Sequence, residues 1–203
     1  MKKINIILVG GGGHARACSD VIDSSKIHYK IIGYVDLQEN KQMSNLNYLG
    51  NDEVLIDYVE NSSFLITIGQ IKSYSKRKNL FDHLVKNKAD IISIYSGSSY
   101  VSSNALVGAG TIVMHGAIVQ TNVKIGKNCI INDRALIEHD SVIGDNCHIS
   151  TGAIINGDCK IGNGVFIGSS AVIRNGITIA DNCIVGMGSI VKYDVLLNSK
   201  TIN

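Results

Sequence analysis

From Val101 to Val191 every sixth residue is Ile or Val, sixteen times without a miss, so the second half of the chain is a six-residue repeat. Four residues after each of these stands something small or apolar, as at Ala105, Thr111, Ala117, Cys129, Ala135, Ser141, Cys147, Cys159 and Cys183. A branched side chain fills the inside of a short flat strand and a small one fits a tighter corner, so each hexad reads as one strand plus one turn of a parallel β-helix. Glycine directly after the branched residue, at Gly108, Gly126, Gly144, Gly162, Gly168 and Gly186, supports this reading.

The 203 residues suffice for one large domain or two small ones. Up to about Ser96 the chain carries helix-like charged stretches such as KRKNLFDHLVKNK, and from Tyr100 it is hexads almost to the end. The joint SGSSY at 96–100 places two domains at 1–97 and 98–203. A formal charge of +2 and a pI near 8.2, with no Lys/Arg stripe beside an aromatic platform, argue against nucleic acid. No apolar stretch approaches the roughly 18 residues of a membrane span, which argues against membrane insertion. The start MKKINIILV is interrupted by Asn5 and runs into glycines, which is short for a signal peptide, so the chain reads as cytoplasmic. Four of the five cysteines fall on the small corner position, where they read as core residues of a protein in a reducing compartment.

In the first domain INIILV at 4–9 is a compact strand, followed by GGGGHA at 10–15 and a helix start in ACSDVIDSS with Val21 and Ile22 inward. Further strands are expected at 30–36, 64–69 and 91–94, with a helix from about Ser73 to Lys88. The β-α-β-α-β-α-β order implies a small parallel sheet, Rossmann-like in kind. Glycines after the first strand let backbone N–H groups and a helix N-terminus approach a phosphate. Gly10, Gly12 and Ala15 fit G-x-G-x-x-A, and Asp36 at the end of the second strand could hold a ribose hydroxyl. The first domain supplies only one mononucleotide half, too little for a full dinucleotide site.

With three hexads per coil, residues 18 apart stack at the inter-strand spacing of ~4.8 Å. His139 therefore lies below Gly157, both in the third place of their hexads, where the chain turns and His139 and Asp140 can project outward. Gly157 leaves a bare N–H there, so a base stands beside a candidate oxyanion donor. Glu138, nearer the strand centre, reads as a solvated side chain and His115 as a surface or interface residue. His14 is open between a helix-start residue and a contact to substrate. β-helices of this kind also include zinc hydratases with three His at subunit boundaries, two of them within a few residues of each other, whereas His115, His139 and His148 are 24 and 9 apart, so no metal is expected. A non-catalytic spacer β-helix would explain the hexads but not the glycine loop ahead of LIEHDSVIGDNCHIST.

Together, the hexads, the glycine loop ending in His14, IGYVD with Asp36, Ile68–Gly69, IEHD, HIST and NGDCKIG resemble the sialic acid O-acetyltransferase and nucleotide-aminosugar N-acetyltransferase (NeuD/PglD-like) branch of the hexapeptide-repeat acyltransferases. The resemblance spans both domains. It implies a left-handed β-helix, a homotrimer with sites between subunits, acetyl-CoA as cosubstrate and a nucleotide-sugar reaching in from the first domain. The family's catalytic histidine and its acidic partner match His139 and Asp140, although relatives often carry Glu in the second position. Sugar-nucleotide contacts match Gly10, Gly12, Gly13, His14, Asp36, Gly69 and Asn132, and acetyl-CoA contacts match His148, Gly157, Ser169 and Met187. Relatives usually end in a G-x-P-A-K type tail, and this chain ends in YDVLLNSKTIN without any Pro.

The expected chemistry is direct acetyl transfer to a nucleotide-linked amino sugar, such as a 4-amino-4,6-dideoxyhexose, for a surface glycan. No hydroxyl or thiol in the pattern is paired with a base, so no acyl-enzyme is expected. The alternative is O-acetylation of sialic acid, towards which NGDCKIG and the spacing at 49–52 lean.

Overall fold

The computed structural model describes residues 4–196 and the backbone of Lys200–Ile202; the basic head at 1–3 and the tail residues 197–199 and 203 lie outside the described residues. The first domain is a five-stranded parallel sheet of β1 (Ile4–Val9), β2 (Tyr29–Val35), β3 (Tyr48–Gly50), β4 (Ser63–Ile66) and β5 (Asp90–Ile91), in the order β3-β2-β1-β4-β5. Ile6, Ile7, Leu8 and Val9 are all fully buried, as a strand covered on both faces requires. One face, through Ile6 and Leu8, packs on Ala15, Cys18, Val21 and Ile22 of helix α1 (Gly13–Ser24). The other, through Ile7, Val9 and Phe64, packs on Leu80, Phe81 and Leu84 of helix α2 (Ser75–Lys86) and on Leu55. Two details differ from expectation. The second crossover of the β-α-β-α-β-α-β order, in NDEVLIDYVE, is a 3-10 helix over Asp52–Tyr58 behind the short extra strand β3 and not an α-helix, with Leu55 as its one buried residue. The stretch 91–94 splits: β5 ends at Ile91, and Ile94–Tyr95 pairs with Ile112–Val113 instead, in the second domain.

That second domain is a triangular prism of two-residue parallel strands, a left-handed β-helix. Its first face stacks Ile94–Tyr95, Ile112–Val113, Ile130–Ile131, His148–Ile149, Phe166–Ile167 and Ile184–Val185, with Lys200–Ile202 added at the end. The second face runs from Tyr100–Val101 to Ile190–Val191 and the third from Leu106–Val107 to Thr178–Ile179. The hexad Ile and Val side chains and the small corner residues make one continuous core, including Cys129, Cys147, Cys159 and Cys183 at zero exposure. All five cysteines are free. From Gly110 to Gly188 the fourth hexad place takes left-handed backbone, with φ near +60° at Asn122, Asn128, Arg134, Asp140, Asn146 and Asp158, which explains why Gly, Asn and Asp crowd it. In the second place, a Cβ on Gly126 would lie 2.6 Å from the Gly144 carbonyl carbon of the next coil, so only glycine lets the coils close there.

The first face is covered: Ile112 and Met114 join the cluster formed by α1 and β1, so the β-helix is welded to the sheet domain along one side. Among the described residues no helix is long and apolar enough to cross a membrane. Since a corner core position tolerates a smaller side chain, Cys147→Ala should cost about 1–2 kcal/mol in chemical denaturation and leave the protein's activity present. A folded but inactive variant would show that the thiol takes part in the chemistry.

Candidate functional site

The corner between the second and third faces carries His139 and Asp140. The turn after Leu136–Ile137 throws both side chains outward, and each is more than half exposed. His139 Nδ1 lies 2.7 Å from Asp140 Oδ2. The carboxylate accepts the Nδ1 proton, which leaves the lone pair on Nε2. This hydrogen bond holds His139 above the ordinary imidazole value and Asp140 below the ordinary carboxylate value. One coil on stands Gly157, where a Cβ would lie 2.8 Å from His139 Cε1 and 2.9 Å from Nε2. Glycine is thus what allows the imidazole to lie flat against that backbone. The stack inferred from the 18-residue period is the stack observed. Asn122, one coil before, donates from Nδ2 to Asp140 Oδ1 at 3.1 Å, a contact that the sequence reading missed.

A second cluster lies where the sheet domain meets the first face. Helix α1 begins at Gly13, inside the glycine loop, with Gly12 as an N-cap that makes no side-chain hydrogen bond. Its first-turn N–H groups are therefore available to an anion. The loop's outer side is open: a Cβ on Gly12 would meet nothing within 4 Å, and one on Gly13 only the Arg16 guanidinium at 3.7 Å. Gly10, at φ +115°, is held by Thr67 Oγ1 donating to its carbonyl at 2.7 Å. Asp36 is engaged with the loop itself, accepting from Gly11 N–H at 2.8 Å and from Leu37 N–H at 2.7 Å. Beside it, residues Asp36 to Gln42 line an open groove of about 720 Å³.

His14, in the first turn of α1, sits near Gly69, whose Cβ would lie 3.7 Å from His14 Cβ. Burial, then the Arg77 charge and His148, push its pKa down to about 3, so the imidazole is neutral at physiological pH. Its buried Nε2 has no hydrogen-bond partner among the described residues. His148 projects outward from the first face into the domain junction, where it is 8% exposed. Its Nδ1 donates to the Gln70 carbonyl at 2.6 Å, so Nε2 accepts, and Asn132 Nδ2 approaches it at 3.3 Å. Phe166 packs edge-on against the ring at 5.2 Å. Burial lowers the His148 pKa as well. Arg77, fully buried, donates to the carbonyls of Ile66 and Ile68 in the sheet domain and of Gly110 and Asn128 in the β-helix.

The chain thus gathers its candidate residues in separate places. His139, Asp140 and Gly157 share one corner; Gly10, Gly12, Gly13, His14, Gly69, Asn132 and His148 surround the junction, with Asp36 behind the loop. Ser169 and Met187 stack in the corner after the first face, where Ser169 Oγ lies 2.9 Å from Ser150 Oγ and Met187 is 83% exposed. His115 belongs to the joint between domains, with Nδ1 2.7 Å from Ser96 Oγ. Among the described residues, no three His, Cys, Asp or Glu side chains group so as to hold a metal ion.

Residues 5–84 match the PglD N-terminal domain, and residues 122–157 and 158–193 each match the bacterial transferase hexapeptide unit of six repeats. The acetyltransferase domain of PglB from Neisseria gonorrhoeae FA1090, solved in complex with acetyl coenzyme A, superimposes with a TM-score of 0.91 at 21% identity, covering 100% of this chain and 98% of that one. The chain belongs to the PglD-like hexapeptide-repeat acetyltransferases. This PglD-like acetyltransferase is also similar to PerB from Caulobacter crescentus, solved in complex with CoA and GDP-perosamine: TM-score 0.84, 25% identity, 94% of this chain and 90% of that one. WeeI from Acinetobacter baumannii AYE aligns with a TM-score of 0.82 at 21% identity, over 98% and 96% of the two chains. No curated protein sequence matches the chain.

Proposed function

We propose that this acetyltransferase moves the acetyl group of acetyl-CoA to the amine of a nucleotide-linked amino sugar, of the 4-amino-4,6-dideoxyhexose kind, for a surface polysaccharide such as an O-antigen. The observation that carries this reading is the His139–Asp140 pair under Gly157, on a chain whose first domain presents an uncapped helix N-terminus behind a glycine loop. The likeness to PerB over nearly the whole chain supports an amino-sugar nucleotide over free sialic acid.

Acetyl-CoA supplies a thioester whose carbonyl carbon an amine can attack. His139 Nε2, its lone pair directed by the Asp140 hydrogen bond at Nδ1, takes the proton that the amine must lose, and when the tetrahedral adduct collapses the C–S bond breaks and that proton passes to the departing CoA thiolate. We assign the Gly157 N–H, on the bare backbone beside the ring, to stabilise charge on the attacked carbonyl oxygen. The glycine loop and the N-terminus of α1 hold the phosphates, and the Asp36 groove takes the nucleoside. Neutral His14 and Asn132 line the approach of the sugar, while Ser169, Met187 and the neighbourhood of His148 take the pantetheine side.

The corner dyad and the junction cluster lie at different places on one chain, so we assign the complete site to the seam between copies in a homotrimer. The outward residues of the second face, Tyr100, Ile118, Leu136, Ile154, Val172 and Ile190, are all apolar, as a face covered by a neighbouring copy requires. Sedimentation should give three times the 21.8 kDa chain mass. Acetyl-CoA availability and the free cysteines fit action in the cytoplasm.

A panel of nucleotide-linked amino sugars and free sialic acid, each offered with acetyl-CoA, tests the substrate class; preferential acetylation of sialic acid would overturn it. Asp36→Ala should raise KM for the nucleotide sugar about tenfold, with KM for acetyl-CoA and saturated turnover little changed, because that contact is far from the chemistry. Equal KM values for the variant and wild type would remove Asp36 from nucleotide binding.

A further inference from the structure

Asp140 has two carboxylate oxygens, and the structure uses both. Oδ2 accepts from His139 Nδ1 at 2.7 Å, and Oδ1 accepts from Asn122 Nδ2 at 3.1 Å. Asn122 stands 18 residues before Asp140, in the same fourth hexad place one coil away, and both residues hold left-handed backbone, φ +59° and +61°. Stacked residues of identical conformation project in parallel, so the amide of one is delivered to the carboxylate of the next. Asp158, one coil further on, holds the same left-handed backbone, φ +56°, whereas Asn104, one coil before Asn122, turns its amide to Thr121 Oγ1 at 3.3 Å. Among the described residues, Asn122 is the partner that holds the carboxylate from the side away from His139.

We propose that Asn122 is a positioning residue for acetyl transfer: its side-chain amide fixes the Asp140 carboxylate so that the carboxylate can fix the His139 ring. The inference rests on the reading of His139 as the base. Its chemical need comes from the exposure of the pair. An aspartate more than half exposed to water rotates among rotamers unless something holds it, and each departure lets the imidazole swing from the angle at which Nε2 can take a proton. A second hydrogen bond on the far oxygen removes that freedom and also keeps the carboxylate ionised, in line with its lowered pKa.

The left-handed conformation makes a clean test available. Asn122→Gly removes the amide without backbone strain, since glycine already fills the equivalent fourth place at Gly110, Gly116 and Gly152. Turnover and both KM values are measured for Asn122→Gly, Asp140→Asn and the double variant, with the melting temperature as a control for folding. Asn122→Gly should lower kcat roughly three- to tenfold and leave KM for acetyl-CoA within about twofold of wild type. In the Asp140→Asn background the same change should have no further effect on kcat, because the carboxylate it positions is gone. An Asn122→Gly enzyme with wild-type kcat, or one that loses the same factor in both backgrounds, overturns the inference while leaving the dyad in place. Wild-type turnover in Asp140→Asn alone would instead remove the dyad reading, and Asn122 with it.

Discussion

His139→Ala should lower turnover at saturating acetyl-CoA and amino-sugar nucleotide by roughly 10²-fold or more, with affinity for both substrates and the oligomeric state close to wild type. The side chain is exposed at a corner and packs on nothing in the core, so its removal leaves the fold untouched. What disappears is the imidazole that takes the proton in the proposed reaction. The pH dependence carries a sign. Imidazolium cannot accept a proton, so activity should rise with pH through the His139 pKa, which the Asp140 hydrogen bond holds above the ordinary 6.5. Asp140→Asn withdraws that support, so the rising limb should move to lower pH while the plateau falls. Turnover of His139→Ala within about twofold of wild type would assign the reaction to proximity alone.

Arg77→Met should destabilise the protein by about 3–5 kcal/mol, the largest stability effect expected of any single side chain here. Arg77 has no carboxylate partner; the ion pairs among the described residues are Lys78–Asp82 and His139–Asp140. Its charge is met by carbonyl dipoles alone, two from the end of β4 and its following loop and two from coils of the β-helix. Burial lowers its pKa to about 10, which still leaves it charged at neutral pH. Removal strands four carbonyls at the junction, and Arg77→Lys should recover only part of the loss because one ammonium cannot span a fork built for a guanidinium. Equilibrium denaturation measures both. A melting temperature unchanged in Arg77→Met would mean that apolar packing alone holds the two domains together.

The corner site was readable from sequence because a β-helix converts counting into distance. Once the period is six and the coil three hexads, His139 and Gly157 must be neighbours, whatever the rest of the chain does. The same arithmetic offered Asn122, one coil before Asp140, but an asparagine in a place already rich in Asn and Gly looks like turn chemistry. The rung at Ile94–Tyr95 escaped because Tyr95 stands where every later hexad has Ile or Val. Arg77 was hidden among Lys76 and Lys78 in a run that looks solvated. Its helical spacing to Leu80, Phe81 and Leu84 puts it on the buried stripe, a signal that charge overrides on inspection. His148 and Asp36 were found as residues but not in their surroundings. Outward on a strand normally means wet, and only docking of the sheet domain on the first face turns His148 into an interior group. Local pattern carries no record of that docking.

The uniformity of the coils has a cost in shape control. Every coil offers the next the same unpaired edge, so the architecture is a segment of a fibre, and nothing within a coil marks it as the last. Termination has to come from outside the repeat. At one end the first rung of the first face, Ile94–Tyr95, runs on from the sheet domain and packs through Ile94 on the α1 cluster, so that domain stands beside this end of the stack. At the other, Val195 bridges to Ile179 and the strand Lys200–Ile202 lies along Ile184–Val185, so returning chain occupies edges that would otherwise recruit a stranger. The non-repetitive segments flanking the hexads thus act as stoppers, and they keep a catalytic tape of fixed length from polymerising end to end.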